Sequence, residues 1–113
     1  MNATLAKELL LPIPKNEFII GEFSNNINKC CAIGHLVRLT SKKPNDYEQE
    51  LSDHGVISQF CRDNVTKFIS QKYNYDWCTL ASINNSDSIN NYNEIEIKDR
   101  VIHLLDDMIE AGY

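Results

Sequence analysis

The chain has 113 residues, 11 of them Lys or Arg and 16 Asp or Glu, for a net charge of −5; 42% of residues are hydrophobic and 24% charged. That length suits one domain with a single core, and the composition is that of an ordinary soluble protein. The acidic balance argues against general nucleic-acid binding, which needs clustered Lys and Arg, and no apolar run approaches the roughly 18 residues of a membrane span.

Residues 3–11 read as a short helix, stopped by Pro12 and Pro14. The start of the chain lacks a basic n-region, Lys7 and Glu8 interrupt it, and the run from Leu9 to Ile13 is too short for a signal-peptide core, so a cytoplasmic location is expected. The segment 17–23 reads as a short strand or a tethering loop that packs Phe18, Ile20 and Phe23. A turn cluster over 24–28 supplies helix N-caps.

A helix is expected from about Ile27 to Thr40. Cys30, Cys31, Ala32, Ile33, Leu36, Val37 and Leu39 make it apolar almost all round, as a central helix would be. Gly34 costs about 1 kcal/mol relative to Ala there and points to close backbone approach. Residues 47–51 read as another short helix, and Asp53-His54-Gly55 as punctuation. Ile57, Phe60, Cys61, Val65, Phe68 and Ile69 then form one face of a helix that fades at 72–75. Trp77, Cys78, Leu80, Ala81 and Ile83 form a short apolar stretch, read as helix with strand as the alternative. Residues 84–93 read as the longest polar loop, rich in Asn and Ser. The last helix places Ile97, Val101, Leu104, Leu105 and Met108 on one face and ends at Gly112. The expected architecture is a mainly α single domain, 1–113, of four or five helices around the central helix, with one short strand or extended segment near 17–23.

Four cysteines and three histidines carry the candidate chemistry. Cys31 and His35, four apart, share a helix face, and the N-terminus of that helix would lower a thiol pKa. A nucleophilic reading makes Cys31 the nucleophile and His35 or His103 the base, with Asn84 or Asn85 as orienting amide or oxyanion donor. The competing reading is a core thiol and a hydrogen-bonded core-edge histidine. Cys61, Cys78, His54 or His103 could complete a metal tetrahedron with them, but no Cys-x-x-Cys or other zinc spacing is present, so neither metal nor cofactor is expected. Buried free thiols are the default. His103 lies between Asp99 and Asp107 at four-residue spacing, an ion-pair ladder or an acid/base dyad. Asn84, Asn85 and Asp87, with His35, are the candidate ligand or partner contacts; turn formation and helix capping compete with that role. Asp99, Asp106, Asp107 and Glu110 could form an acidic face for a basic partner, against plain solubility. No EF-hand, phosphate-cradling glycine loop or Gly-x-Ser-x-Gly occurs.

Two stretches together resemble a family of small bacterial and phage proteins of uncharacterised function. Its members carry a Cys-Ala-(Ile/Leu)-Gly-x-Leu helix, an Ile-x-x-Asn-Asp turn about fifty residues later, and a terminal amphipathic helix. The corresponding residues are Cys31-Ala32-Ile33-Gly34-His35-Leu36, then Leu80 through Ser86, then Val101 to Ala111, over the last two-thirds of the chain. Asn84-Asn85 stands where the family often has Asn-Asp, and Ile20-Gly21-Glu22-Phe23 where many members have a Gly-Trp-Cys motif. The resemblance implies a mostly helical domain with the two motifs adjacent in space, and it imports no activity. The leading expectation is a small non-catalytic binding protein for a protein partner or small ligand, compatible with a phage or mobile-element accessory role on a host system. The alternative is a Cys/His hydrolase or transferase using Cys31. An exposed strip at Phe18, Phe23 or Trp77 would favour a homo-oligomer.

Overall fold

The computed structural model describes residues 1–21, 29–40 and 55–113. The expected helix at 47–51, the turn at 24–28, Phe23 and His54 lie outside them. Five helices are present among the described residues, and no strand: α1 (Ala3–Leu10), α2 (Ala32–Thr40), α3 (residues 56–73), α4 (Leu80–Asn85) and α5 (Ile97–Glu110). Their buried apolar side chains form one cluster, the mainly α arrangement expected.

Each helix end has a visible cause. The Leu5 N–H donates to Asn2 Oδ1 at 2.9 Å, capping α1, and α1 then buries Ala3, Ala6 and Leu10 at helical spacing. Thr79 and Ser82 form a reciprocal capping box at the start of α4. At its end Ser86, with φ +56°, closes a two-bond reversal: Asp87 N–H donates to Ser82 O and Ser86 N–H to Ile83 O. The same reversal ends α5 at Gly112, where Tyr113 N–H donates to Met108 O and Gly112 N–H to Ile109 O.

α3 is one helix with an interruption: Val56–Gln59 is α-helical, Phe60–Asn64 makes a π turn, and Val65–Tyr73 resumes the α-helix. It buries Ile57, Phe60, Cys61, Val65, Phe68 and Ile69, the face read from the periodicity, and stops at Asn74 in the left-handed region. α2 is buried continuously from Ala32 to Val37, as a central helix must be, and packs on α1, α3 and α4; α5 packs on α1 and α4.

The structure corrects three boundaries. α2 starts at Ala32 rather than near Ile27, because Cys30 is extended and pairs with Phe18 in a single β-bridge. In the described part of the segment near 17–23, through Gly21, a 3₁₀ turn (Lys15–Glu17) leads into that bridge, and Ile20 is 60% exposed rather than packed. Asn84 and Asn85 belong to α4 rather than to the polar loop, and Asn84 is buried. The loop reading missed them because their amides bond to backbone far away in sequence.

Gly112 has φ +89° and a Cβ built there would meet nothing within 4 Å. Gly112→Ala is therefore expected to lower stability by about 1 kcal/mol through backbone strain alone, read as a lower midpoint in urea denaturation; an unchanged midpoint would contradict the assignment.

Candidate functional site

The two motifs expected to be neighbours meet in a direct contact. Asn84 Oδ1, brought in by the buried C-terminal turn of α4, accepts the Ala32 N–H at 2.8 Å. Its Nδ2 donates to Ile19 O at 3.0 Å and to Asn85 Oδ1 at 3.0 Å, and Asn85 Oδ1 also accepts the Gly21 N–H at 3.1 Å. One amide thus joins the start of α2, the 17–21 segment and α4. The first N–H groups of a helix have no partner within it; here Asn84 serves one, and Cys31 Sγ accepts another from Gly34 at 3.4 Å.

Arg100 fixes α4 from the other side. It is buried on α5, and its guanidinium donates to Ile83 O at 2.8 Å, to Asn84 O, and to Glu94 O and Ile95 O at 3.1 Å each. These are carbonyls of the last α4 turn and of the connection to α5. The sequence reading missed Arg100. Its signal is a basic residue between Ile97 and Val101 on an otherwise apolar helix face.

His35 is fully buried on α2. Arg38 Nε donates to its Nδ1 at 3.0 Å, so Nδ1 is an acceptor and the proton lies on Nε2, which donates to Glu17 O at 2.7 Å. The same Glu17 carbonyl accepts the Cys30 N–H at 3.0 Å, and Phe18 lies against the ring with centroids 4.7 Å apart. Both ring nitrogens are committed, and neither is bonded to Cys31.

The thiols follow burial. Cys31 sits at the start of α2, where the helix was expected to lower its pKa. Burial instead raises it above the ordinary thiol value, and the backbone N–H groups of Gly34 and Ile33 only partly offset that. Burial likewise raises Cys30, which Arg38 opposes, and Cys78, whose Sγ lies 3.2 Å from Ser88 Oγ; it raises Cys61 strongly. All four are free and buried. Among the described residues no group of three or more His, Cys, Asp or Glu side chains is placed to hold a metal ion.

His103 stands apart on the exposed side of α5. Its Nδ1 contacts both Glu94 carboxylate oxygens at 3.0 and 3.1 Å, and its Nε2 lies 3.7 Å from Asp107 Oδ2. The expected partner Asp99 is instead paired with Lys15 at 2.8 Å. Tyr92 donates to Asp107 at 2.7 Å, and burial first, then its bonds to Tyr73 and Asp107, raises the Tyr92 pKa. The proposed acidic face is largely neutralised: Asp106 pairs with Lys7 at 2.6 Å and Asp107 approaches Lys72 at 3.8 Å. Asp87 is exposed on the turn after α4. Of the expected strip, Phe18 is buried and Trp77 is 87% exposed.

Compared with known protein families, curated proteins and solved structures, the chain matches none. Among the described residues no helix is long and apolar enough to cross a membrane.

Two outcomes follow from this geometry. Asn84→Ala leaves the buried Ala32 N–H and the Ile19 carbonyl without partners and should cost about 3 kcal/mol. Asn85→Ala, whose partner Gly21 N–H is exposed, should cost about 1 kcal/mol. Paired urea titrations check the ranking, and equal losses would contradict it.

Burial, reinforced by Arg38, holds the His35 pKa below its ordinary 6.5. In the interval between the folded pKa and 6.5 the unfolded chain binds a proton that the folded chain does not. Stability therefore falls as pH drops below 6.5 and is unaffected by this group above it. Unfolding free energies at about pH 7.5 and about pH 5.5 should differ more in the native chain than in His35→Gln; equal differences would show that His35 does not carry the effect.

Proposed function

We infer that this chain is a small binding protein that acts without catalysis, in the cytoplasm, on a protein partner or small ligand. The observation that carries this reading is the commitment of Cys31, His35 and Asn84 to structural hydrogen bonds, while His103, the other candidate base, lies apart against Glu94 on α5. Cys31 Sγ accepts the Gly34 N–H, His35 uses both ring nitrogens, and Asn84 uses its oxygen and its amide N–H groups. A cysteine nucleophile needs a thiolate and a base within reach. Burial works against the first, and the bonds of His35 occupy the nearest base. An accessory role on a host system is compatible with the resemblance to small bacterial and phage proteins.

The hydrolase or transferase reading and this one part at Cys31. A thiol-reactive probe at neutral pH should leave Cys31 of the folded protein unmodified and label it once the protein is unfolded in urea. Rapid modification of Cys31 in the folded state, located by peptide mass analysis, would overturn the non-catalytic reading.

A further inference from the structure

Trp77 is the only tryptophan of the chain. It is 87% exposed and holds φ +66°, a left-handed conformation that is an outlier for a bulky side chain. Among the described residues its ring has no aromatic or cationic partner. The strain is thus not repaid by packing, and strain of this kind collects at contact sites. Trp77 borders a groove of about 610 Å³ between the 76–79 loop and α3, within the range of ligand sites. Across the groove lies the π turn of α3, which supplies Arg62 and Asp63; such turns recur at functional positions.

The chemistry left open in the groove selects the occupant. Its hydroxyls are spent: Thr66 donates to Cys78 O at 3.0 Å, Ser70 to Asp76 Oδ1 at 3.3 Å, and Thr79 serves the α4 capping box. Arg62 is engaged in an interaction of its own. The rest of the lining is Trp77, the carboxylate residues Asp63 and Asp76, and Lys67. The charges of the lining balance, Arg62 and Lys67 against Asp63 and Asp76, so an anion finds no net positive charge there. A guanidinium can stack on the indole and turn its N–H fork to a carboxylate, and the net charge of −5 draws cations toward the chain.

We propose that the Trp77 groove binds an arginine side chain of a protein partner. This rests on the binding reading above and names the partner's chemistry; Cys31 labelling does not bear on it, so the two fail separately. Because Trp77 is the sole indole, its fluorescence reports on this groove alone. The full-length protein is titrated with a short arginine-rich peptide with blocked ends and with a matched glutamate peptide. The arginine peptide should give a saturable change that weakens with added salt, and the glutamate peptide none. By calorimetry, Asp63→Asn and Trp77→Asn should each weaken binding by about tenfold, whereas Glu110→Gln, which removes the same charge from the end of α5, should not. Asn tolerates the left-handed conformation, so Trp77→Asn should keep or raise the melting temperature, separating lost binding from lost folding. A response to the glutamate peptide, equal weakening by Glu110→Gln, or no response to either peptide would overturn the proposal.

Discussion

The Asn84 side chain is the constraint on which the rest of the structure turns. A primary amide offers an acceptor and two N–H donors on one rigid plane, and here each is used by a different part of the chain: the first N–H of α2, the Ile19 carbonyl, and the neighbouring Asn85. A buried polar group is costly only when unpaired, and among the described residues no buried side-chain nitrogen or oxygen lacks a partner. Arg100 completes the arrangement by taking the carbonyls of the same α4 turn. Asn84 therefore approaches α2 from a short helix whose end is itself held in place.

The same junction decides the chemistry of the Cys/His pair. A helix N-terminus and burial act on a thiol in opposite directions, and at Cys31 burial prevails. His35 is held by geometry as much as by burial. An arginine can only donate, so Arg38 fixes Nδ1 as an acceptor and leaves Nε2 to anchor Glu17. The residue that would act as base in an open cleft, His35, instead fastens Glu17 to the central helix, and Cys31 Sγ accepts an N–H of its own helix.

Much of the architecture was legible in the sequence. The 3.6-residue spacing of Ile57 through Ile69 and of Ile97 through Met108 marked α3 and α5, because each buries a single stripe. Gly112 was readable as a stop because only its left-handed φ permits the reversal there. The start of α2 was not legible, since Cys30 is apolar enough for a helix yet is taken by the bridge to Phe18. Asn84 and Arg100 were hidden for a related reason: polarity in a sequence suggests solvent, whereas their partners include backbone atoms 16 to 65 residues away. Trp77 is apolar by type and sits in an apolar stretch, and only the structure shows it turned outward in a strained conformation.

The Ala32 N–H is buried and its partner comes from 52 residues away. Native-state hydrogen exchange at this single amide tests the Asn84 junction most directly. Helix-terminal amides normally exchange by local fraying at little free-energy cost. If the Asn84 junction organises the fold, the Ala32 amide should exchange only with the free energy of global unfolding. Exchange at the rate of a fraying helix end, with the α5 core still protected, would contradict it.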